Sequence, residues 1–589
     1  MVDLGSSGSR VFVYEHLPGD GARGGGGGPA SSVKGSKGLK VSPGISDLAA
    51  TPEAAAPYLA PLFAYARTLV PAAAQPATPL FLKATAGVRL LPEATQRVLF
   101  ERLVADLEQP GSAAEPFLLS AESVGTITGD DEGYYAALSV NYLRGRIDSD
   151  LKPIAASSCG PRLRKSGGAG GGVGDGGGEV GGEGGKGILG ALDLGGASTQ
   201  IVFQPGGACD PARAASLPGE DEGIAEEQDA SARTPEVSGG GDGDGGSAAL
   251  TSTAASLMSI SSGGGQAAAL PPALGGSSGP VSPGSGEGHG NSSSRLARTA
   301  VGLAGAPAAA AGGGGGAVSR ADFFAQSFLS VGADQVREKV WGRLIAQAGA
   351  GAAAGAGAAG EKSAAPVAST VANPCAFRGF EVAWAGARLM GTGDAAGCAA
   401  EIRAVLRLNP EGGCDKIAIP AALGSSGGCA LGGFSALPPA RGASFVAMSV
   451  YFFATDAVRV LGPHLSQPQE QEQRQPQQEE QAGEASAAAA LASFAAAWPS
   501  PSIAELEAAV APFCAAPWAT MAALGAAEVH AWTWEHQMPH RCFEAAFIGT
   551  LLRDGYGLDP LARPVEYAVE AGGMEVEWTL GFALAARAA

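Results

Sequence analysis

No run of 18 or more consecutive apolar residues occurs anywhere in the 589 residues, so nothing in the chain reads as a membrane-spanning helix. Nor does a leader of the basic-then-apolar kind precede the first patterned segment. Basic residues are scarce: 38 Lys and Arg stand against 57 Asp and Glu, a formal net charge of −19, with no basic stripe. That deficit argues against a nucleic-acid partner, whose phosphates must be neutralised by cationic side chains. An acidic chain that handles phosphates needs local devices instead, such as backbone amides or a bound cation. The eight cysteines never form a Cys-x-x-Cys pair, which disfavours a zinc ribbon. An even number spread through non-repetitive sequence points to disulfides and an oxidising compartment, with free core thiols as the alternative.

Glycine, by contrast, is abundant at 92 residues, much of it in runs near 20–37, 165–186, 206–319 and 348–366; a further biased stretch, 465–498, is rich in Gln and Glu. Such stretches bury little and lose much backbone entropy on ordering, so they read as long disordered inserts. An Asn291-Ser-Ser glycosylation signal falls within the longest of them and reads as a chance match. Without the inserts about 350–400 patterned residues remain, enough for two domains of ordinary size.

Four patterned segments carry chemistry. In the first, Asp3-Leu-Gly-Ser-Ser-Gly-Ser-Arg10 leads into Val11-Phe-Val-Tyr14: strand, tight turn, strand, with Asp3 ending the first. A turn of this kind aims successive N–H groups at one point, and Ser6, Ser7 and Ser9 add hydroxyls. Taken alone it is equally a hairpin loop. In the second, Leu80–Lys83 ends in Thr85-Ala-Gly87 with Arg89 beyond, a strand end that presents a hydroxyl. The third, Gly129-Asp-Asp-Glu-Gly133, sets three acids at the start of a helix, where they complement its dipole or supply a general base. The fourth, Ile188–Asp193 followed by Leu194-Gly-Gly-Ala-Ser198 and Gln200–Phe203, is the first written again. Two strand–Asp–Gly-turn–strand units imply a duplicated protein with facing phosphate loops. Two aspartates across a cleft suit a hydrated divalent cation bridging phosphates.

In order and content, DLGSSGSR, ATAGVR, DDEGYYAALSVNYL and ALDLGGASTQ resemble the first four apyrase conserved regions of the ecto-apyrases, the nucleoside triphosphate diphosphohydrolases. The resemblance continues through Asn373-Pro-Cys375, Gly391–Asp394, Phe445–Ser449, Phe513-Cys514 and Trp578-Thr-Leu-Gly581. It implies an α/β fold of the actin, sugar kinase and heat-shock chaperone type, in which two RNase H-like domains flank a nucleotide cleft. By similarity, one domain spans 1–144 and takes back a helix at about 567–589, and the other spans 145–566.

The resemblance further implies hydrolysis of the terminal phosphate of nucleoside tri- or diphosphates by directly attacking water. Glu132 would be the base; Ser198 and Gln200 would place the water. Asp3 and Asp193 would hold Ca2+ or Mg2+ through water, while Gly5, Ser6, Ser7, Gly8, Ser9, Thr85, Gly195, Gly196, Ala197 and Ser198 would contact phosphate. Cys375–Cys398 and Cys514–Cys542 match family bridges; Cys414–Cys429 would close a short loop, and Cys159 and Cys209 either pair or stay free. The secretory pathway lumen or the extracellular side follows by resemblance, with membrane association only through anchors that this chain does not show.

The third motif departs from the family at Ala137, usually Trp, and at Asp131, usually Glu. The alternative function is therefore a catalytically weak or silent nucleotide-binding protein of the same fold; a sugar kinase fits the third and last motifs less well. His530, His536, His540 and Cys542 cluster in sequence but read as structural rather than zinc-binding. Tyr451 and Phe452 either contact a base or fill the core, and Arg10 and Arg89 either meet phosphate or pair with acids. With only Met1-Val2 ahead of it, Asp3 is expected to be loosely held, as in a truncated start.

Overall fold

The computed structural model describes residues 1–17, 32–36, 38–154, 187–204, 316–355, 370–406, 431, 443–465 and 478–588. All belong to one compact unit, Met1–Leu217 with Gly314–Ala589; a second unit, Pro218–Gly313, lies outside the described residues.

Each lobe is built on a five-stranded sheet. The first contains β1 (Val2–Gly5), β2 (Gly8–Val11), β3 (Leu39–Val41), β4 (Leu82–Ala84) and β5 (Val124–Thr126), in the spatial order β3-β2-β1-β4-β5. The second contains β6 (Gly190–Leu194), β7 (Ser198–Phe203), β8 (Phe324–Leu329), β9 (Phe445–Ser449) and β10 (Val565–Tyr567), in the order β8-β7-β6-β9-β10. The orders are identical, and both sheets begin with an antiparallel meander and finish with parallel strands. This is the duplicated RNase H-like architecture expected, and it places the two Asp-Gly turns at equivalent points.

Helices α1 (Ala55–Leu69), α2 (Ala86–Arg89) and α3 (Glu93–Leu107) accompany the first sheet. Val2, Leu4 and Val11 face Leu59, Leu62, Phe63, Leu99 and Leu103 in its core. Around the second sheet lie α4 (Gly129–Leu143), α5 (Ala333–Gly355), α6 (Ala395–Leu406), α7 (Val450–Leu461), α8 (Gln478–Ala496), α9 (Ile503–Cys514), α10 (Trp518–Ala526), α11 (Arg541–Thr550) and α12 (Trp578–Ala588). Alternation sorts its strands between two faces. Leu192, Leu194, Ile201 and Phe203 enter the large core, whereas Ala191 and Val202 enter a third cluster beneath α4 and α12.

Helix α4 lies on the second sheet, with Gly133 seated against Val202 and Gln200. Helix α12 crosses α4 where Gly581 meets the Tyr135 carbonyl: a Cβ there would stand 1.8 Å from that oxygen, which only glycine avoids. It is also tied to the first lobe through Tyr14 and Thr579, whose hydroxyls are 2.7 Å apart. Two inserts are shorter than expected. Helix α5 continues through 348–355, and the biased stretch 465–498 carries α8, whose Leu491 and Phe494 are buried in the large core. Alanine is the strongest helix former, so a composition that reads as low complexity makes a helix once two side chains find a core.

Cys375–Cys398 and Cys514–Cys542 are disulfides, as the resemblance implied. Cys159, Cys209, Cys414 and Cys429 lie outside the described residues.

Candidate active site

The turns after β1 and β6 face one another across a cleft lined by Asp3, Gly5, Ser6, Ser7, Gly8, Thr85, Glu132, Asp193, Gly195, Gly196, Ala197 and Ser198. Residues proposed from four separate motifs thus converge on one place. The approach is close: a Cβ on Gly196 would sit 3.1 Å from the Ser6 hydroxyl and 2.3 Å from an Asp334 oxygen. Asp3 is not loosely held. Its strand pairs with β2 on one side and β4 on the other, and the Val2 N–H donates to the Phe81 carbonyl at 2.7 Å.

Strand alternation decides which side chains reach the cleft. Asp193 and Gln200 are cross-strand partners on the face covered by α4, and Ser198 shares that face. Glu132, in the first turn of α4, comes down onto them. Its Oε2 accepts from Arg89 Nη2 at 2.8 Å and from Gln200 Nε2 at 3.2 Å. The Gln200 amide also lies 2.8 Å from Ser198 Oγ and 3.2 Å from Ser327 Oγ, and Arg89 Nη2 is 3.4 Å from Ser198 Oγ. Gln200 is buried behind this group, so it positions Glu132 and Ser198. The same alternation turns the Ser9 side chain away from the cleft. It pairs with Leu4, is fully buried on the core side, and meets the Tyr58 hydroxyl at 3.4 Å. Of the other acids of the third motif, Asp130 accepts from the Ser327 N–H and the Asp131 carboxylate lies 3.9 Å from Arg320, while Thr128 caps α4 by accepting from the Asp131 N–H.

Charge in the cleft is unbalanced. Burial pushes the Glu132 carboxyl up to about 7, against the pull of Arg89 and with a further push from Asp193. Burial, then Glu577 and Glu132, hold Asp3 well above the carboxylate range despite Arg10. Asp193 is raised by burial, opposed by hydrogen bonds from the Ser449 hydroxyl and the Leu194 N–H. A fourth acid, Glu577, is pushed up to about 7 by burial, although Arg10 Nη1 lies 2.6 Å away. Among the described residues, Asp3 Oδ1 is buried with no hydrogen-bond partner. Four raised carboxyls and an orphan oxygen outnumber the nearby cations Arg10, Arg89 and Lys40, so the donor set fits a divalent cation. Among the described residues no three His, Cys, Asp or Glu groups stand together as a direct metal cage. Holding the ion through water is what Asp3 and Asp193 fit.

Three polar cleft residues are not among those the motifs assign: Glu577, Lys40 and Ser449. Glu577 immediately precedes the Trp578 motif, and Ser449 ends an apolar run; an acid and a hydroxyl at those edges were the available signals. Ser449 holds φ at +57°, a disfavoured value for a residue with a side chain, where β9 turns into α7 beside Asp193. The histidine cluster is structural: His530 is buried between Asp456 and Thr533, and Cys542 is in a disulfide. Tyr451 is fully buried at Thr199, and Phe452 packs on Trp498.

The profile of the GDA1/CD39 (nucleoside phosphatase) family matches residues 1–224 and 318–588. The chain belongs to that family. Within it, the chain is 33% identical over 220 residues to ectonucleoside triphosphate diphosphohydrolase 7 of Xenopus tropicalis, covering 35% of this chain and 31% of that protein. Ectonucleoside triphosphate diphosphohydrolase 4 of Mus musculus is 33% identical over 219 residues, with coverages of 35% and 31%. The guanosine-diphosphatase of Schizosaccharomyces pombe is 30% identical over 208 residues, with coverages of 35% and 29%. The chain thus matches about a third of the length of these curated relatives. A solved structure of nucleoside triphosphate hydrolases from Neospora caninum overlays with a TM-score of 0.47 at 14% identity, covering 99% of this chain and 91% of that one.

Proposed function

We propose that this family member hydrolyses the terminal phosphate of nucleoside tri- and/or diphosphates, with Glu132 as general base for direct attack by water. The observation that carries the reading is Glu132 itself: a buried carboxyl at about 7, oriented by Arg89 and Gln200, at the meeting point of both phosphate loops. A base of that strength is poised to take a proton near neutral pH. Ser198, tied to Gln200 and Arg89, holds the attacking water beside it. As the water oxygen bonds to phosphorus, the bond to the leaving nucleotide breaks and Glu132 takes the water proton.

The backbone amides of Gly5–Gly8 and Gly195–Ala197, with the Thr85 hydroxyl, position the phosphates. Asp3 and Asp193 would hold Ca2+ or Mg2+ through water, and the ion would supply positive charge to the phosphate oxygens. Ala137, where the family usually has Trp, is fully buried in the cluster beneath α4, and the exchange removes no chemical group from the cleft.

Relatives named as nucleoside triphosphate diphosphohydrolases and a guanosine-diphosphatase support nucleotides as substrates. The net charge of −19 supports the absence of a nucleic-acid partner. Two disulfides and the prefix of the relatives' names support the secretory pathway lumen or the extracellular side. Among the described residues no helix is long and apolar enough to cross a membrane.

The test is Glu132→Gln, which keeps the shape and removes the base. It should lower divalent-dependent phosphate release from ADP and ATP by about 10²–10⁴-fold while nucleotide still binds. Turnover near that of the parent protein would overturn the assignment.

A further inference from the structure

Four charged residues share one rung of the first sheet. Lys83 on β4 is level with Asp3 on β1, which is opposite Arg10 on β2, which is opposite Lys40 on β3. Level residues on neighbouring strands point to the same face, and like charges directly opposite one another are unfavourable. Three of the four have an explanation. Lys83 donates to the Glu122 carbonyl at 2.9 Å, outside the cleft. Asp3 is the proposed cation residue. Arg10 is paired with Glu577 at 2.6 Å and Glu575 at 3.6 Å.

Lys40 has only longer-range compensation, from Asp3, Glu577 and Asp334, set against repulsion from Arg10. It lines the cleft directly opposite another cation, and among the described residues it makes no ion pair; its ammonium reaches only the Ser7 hydroxyl, at 3.1 Å. Its stem lies over the glycine of the first phosphate loop, since a Cβ on Gly8 would stand 2.5 Å from Lys40 Cε. Arg89, another cation at the cleft, is committed to Glu132. A flexible ammonium laid across an anion-cradling turn, beside a like charge, is an arrangement that an incoming anion relieves.

We propose that Lys40 is the phosphate-binding cation of the first loop, contacting an oxygen of the substrate's phosphate chain and retaining the orthophosphate product. This rests on the phosphatase reading above. Lys40 contacts substrate but transfers no proton and holds no attacking water, so its effect falls on binding. The Gly8 turn and the Lys40 stem act together: the glycine leaves room for the lysine, and the lysine brings to the turn a charge that backbone amides lack.

The experiment compares the full chain with Lys40→Ala and Lys40→Arg, measuring phosphate release from ADP and ATP with Mg2+ and inhibition by added inorganic phosphate. Lys40→Ala should raise KM about tenfold or more and weaken phosphate inhibition to a similar extent, with kcat changed less than about threefold. Lys40→Arg should restore most of both. An unchanged KM and unchanged phosphate inhibition in Lys40→Ala would overturn the proposal, as would a loss confined to kcat. If the parent protein releases no phosphate, the hydrolytic reading fails by itself. Lys40 is then judged by whether inorganic phosphate raises the parent protein's melting temperature and fails to raise that of Lys40→Ala.

Discussion

The two lobes repeat one sheet order and one Asp-Gly turn, yet they treat their aspartates differently. Asp193 is held in place by the Ser449 hydroxyl and the Leu194 N–H, and behind it stand Gln200, Ser198 and Glu132. Asp3 has a buried oxygen without a partner and is surrounded by Glu577, Glu132 and Arg10. The second lobe therefore presents a preorganised face, onto which α4 brings Glu132, the base in the proposed mechanism. The first lobe presents a binding face whose charge is incomplete until ligands arrive. The same sheet order occurs twice; neighbours contributed from other parts of the chain give the two aspartates different surroundings.

The comparison can be broken most forcefully at the aspartates. Asp193→Asn and Asp3→Asn should each lower divalent-dependent turnover about a hundredfold or more, because the ion loses one of its two anchors. They should part company in stability. With EDTA present at pH 8, Asp3→Asn should melt at a higher temperature than the parent protein, since it removes a buried negative charge beside Glu577 and Glu132. Asp193→Asn, which disturbs a satisfied pair of hydrogen bonds, should not. Melting curves with EDTA decide this.

The next effect concerns stability against pH. Glu132 and Glu577 are raised from the usual 4.5 to about 7, so the folded chain holds their protons more tightly than the unfolded one. Their contribution is fully present below about 4.5 and is lost as pH rises through 7. Metal-free protein should therefore melt several degrees higher at pH 5 than at pH 8, and added Ca2+ or Mg2+ should narrow the gap by supplying the missing charge.

A smaller effect belongs to the base. In the proposed mechanism Glu132 acts deprotonated, so kcat/KM should rise with pH and level off near or below pH 7, because a bound cation would draw the carboxyl downward. Replacing Arg89 with Met removes the charge that pulls this group down, so the rising limb should move to higher pH. A limb that does not move would mean that Arg89 matters only for packing.

Much of this division was legible in the sequence. The repeated Asp-Leu-Gly turn gave both loops, and the order of the motifs gave both sheets. What escaped did so for identifiable physical reasons. Ser9 was placed at phosphate from its composition, but a single step of strand alternation turns it into the core. Helix α8 was hidden by its Ala-rich composition, with only Leu491 and Phe494 to anchor it. Glu577 meets Arg10 across 567 residues of chain, and Lys40 reaches its rung by strand pairing. No local pattern encodes such meetings; they exist only once both lobes have folded.

The most direct test of the central claim is phosphate release by the full chain from ADP and ATP, with Ca2+ or Mg2+ and then with excess EDTA. Release with the ion and its loss in EDTA is the predicted result. No release under either condition, from protein that still binds nucleotide, would contradict it and leave the cleft a binding site alone.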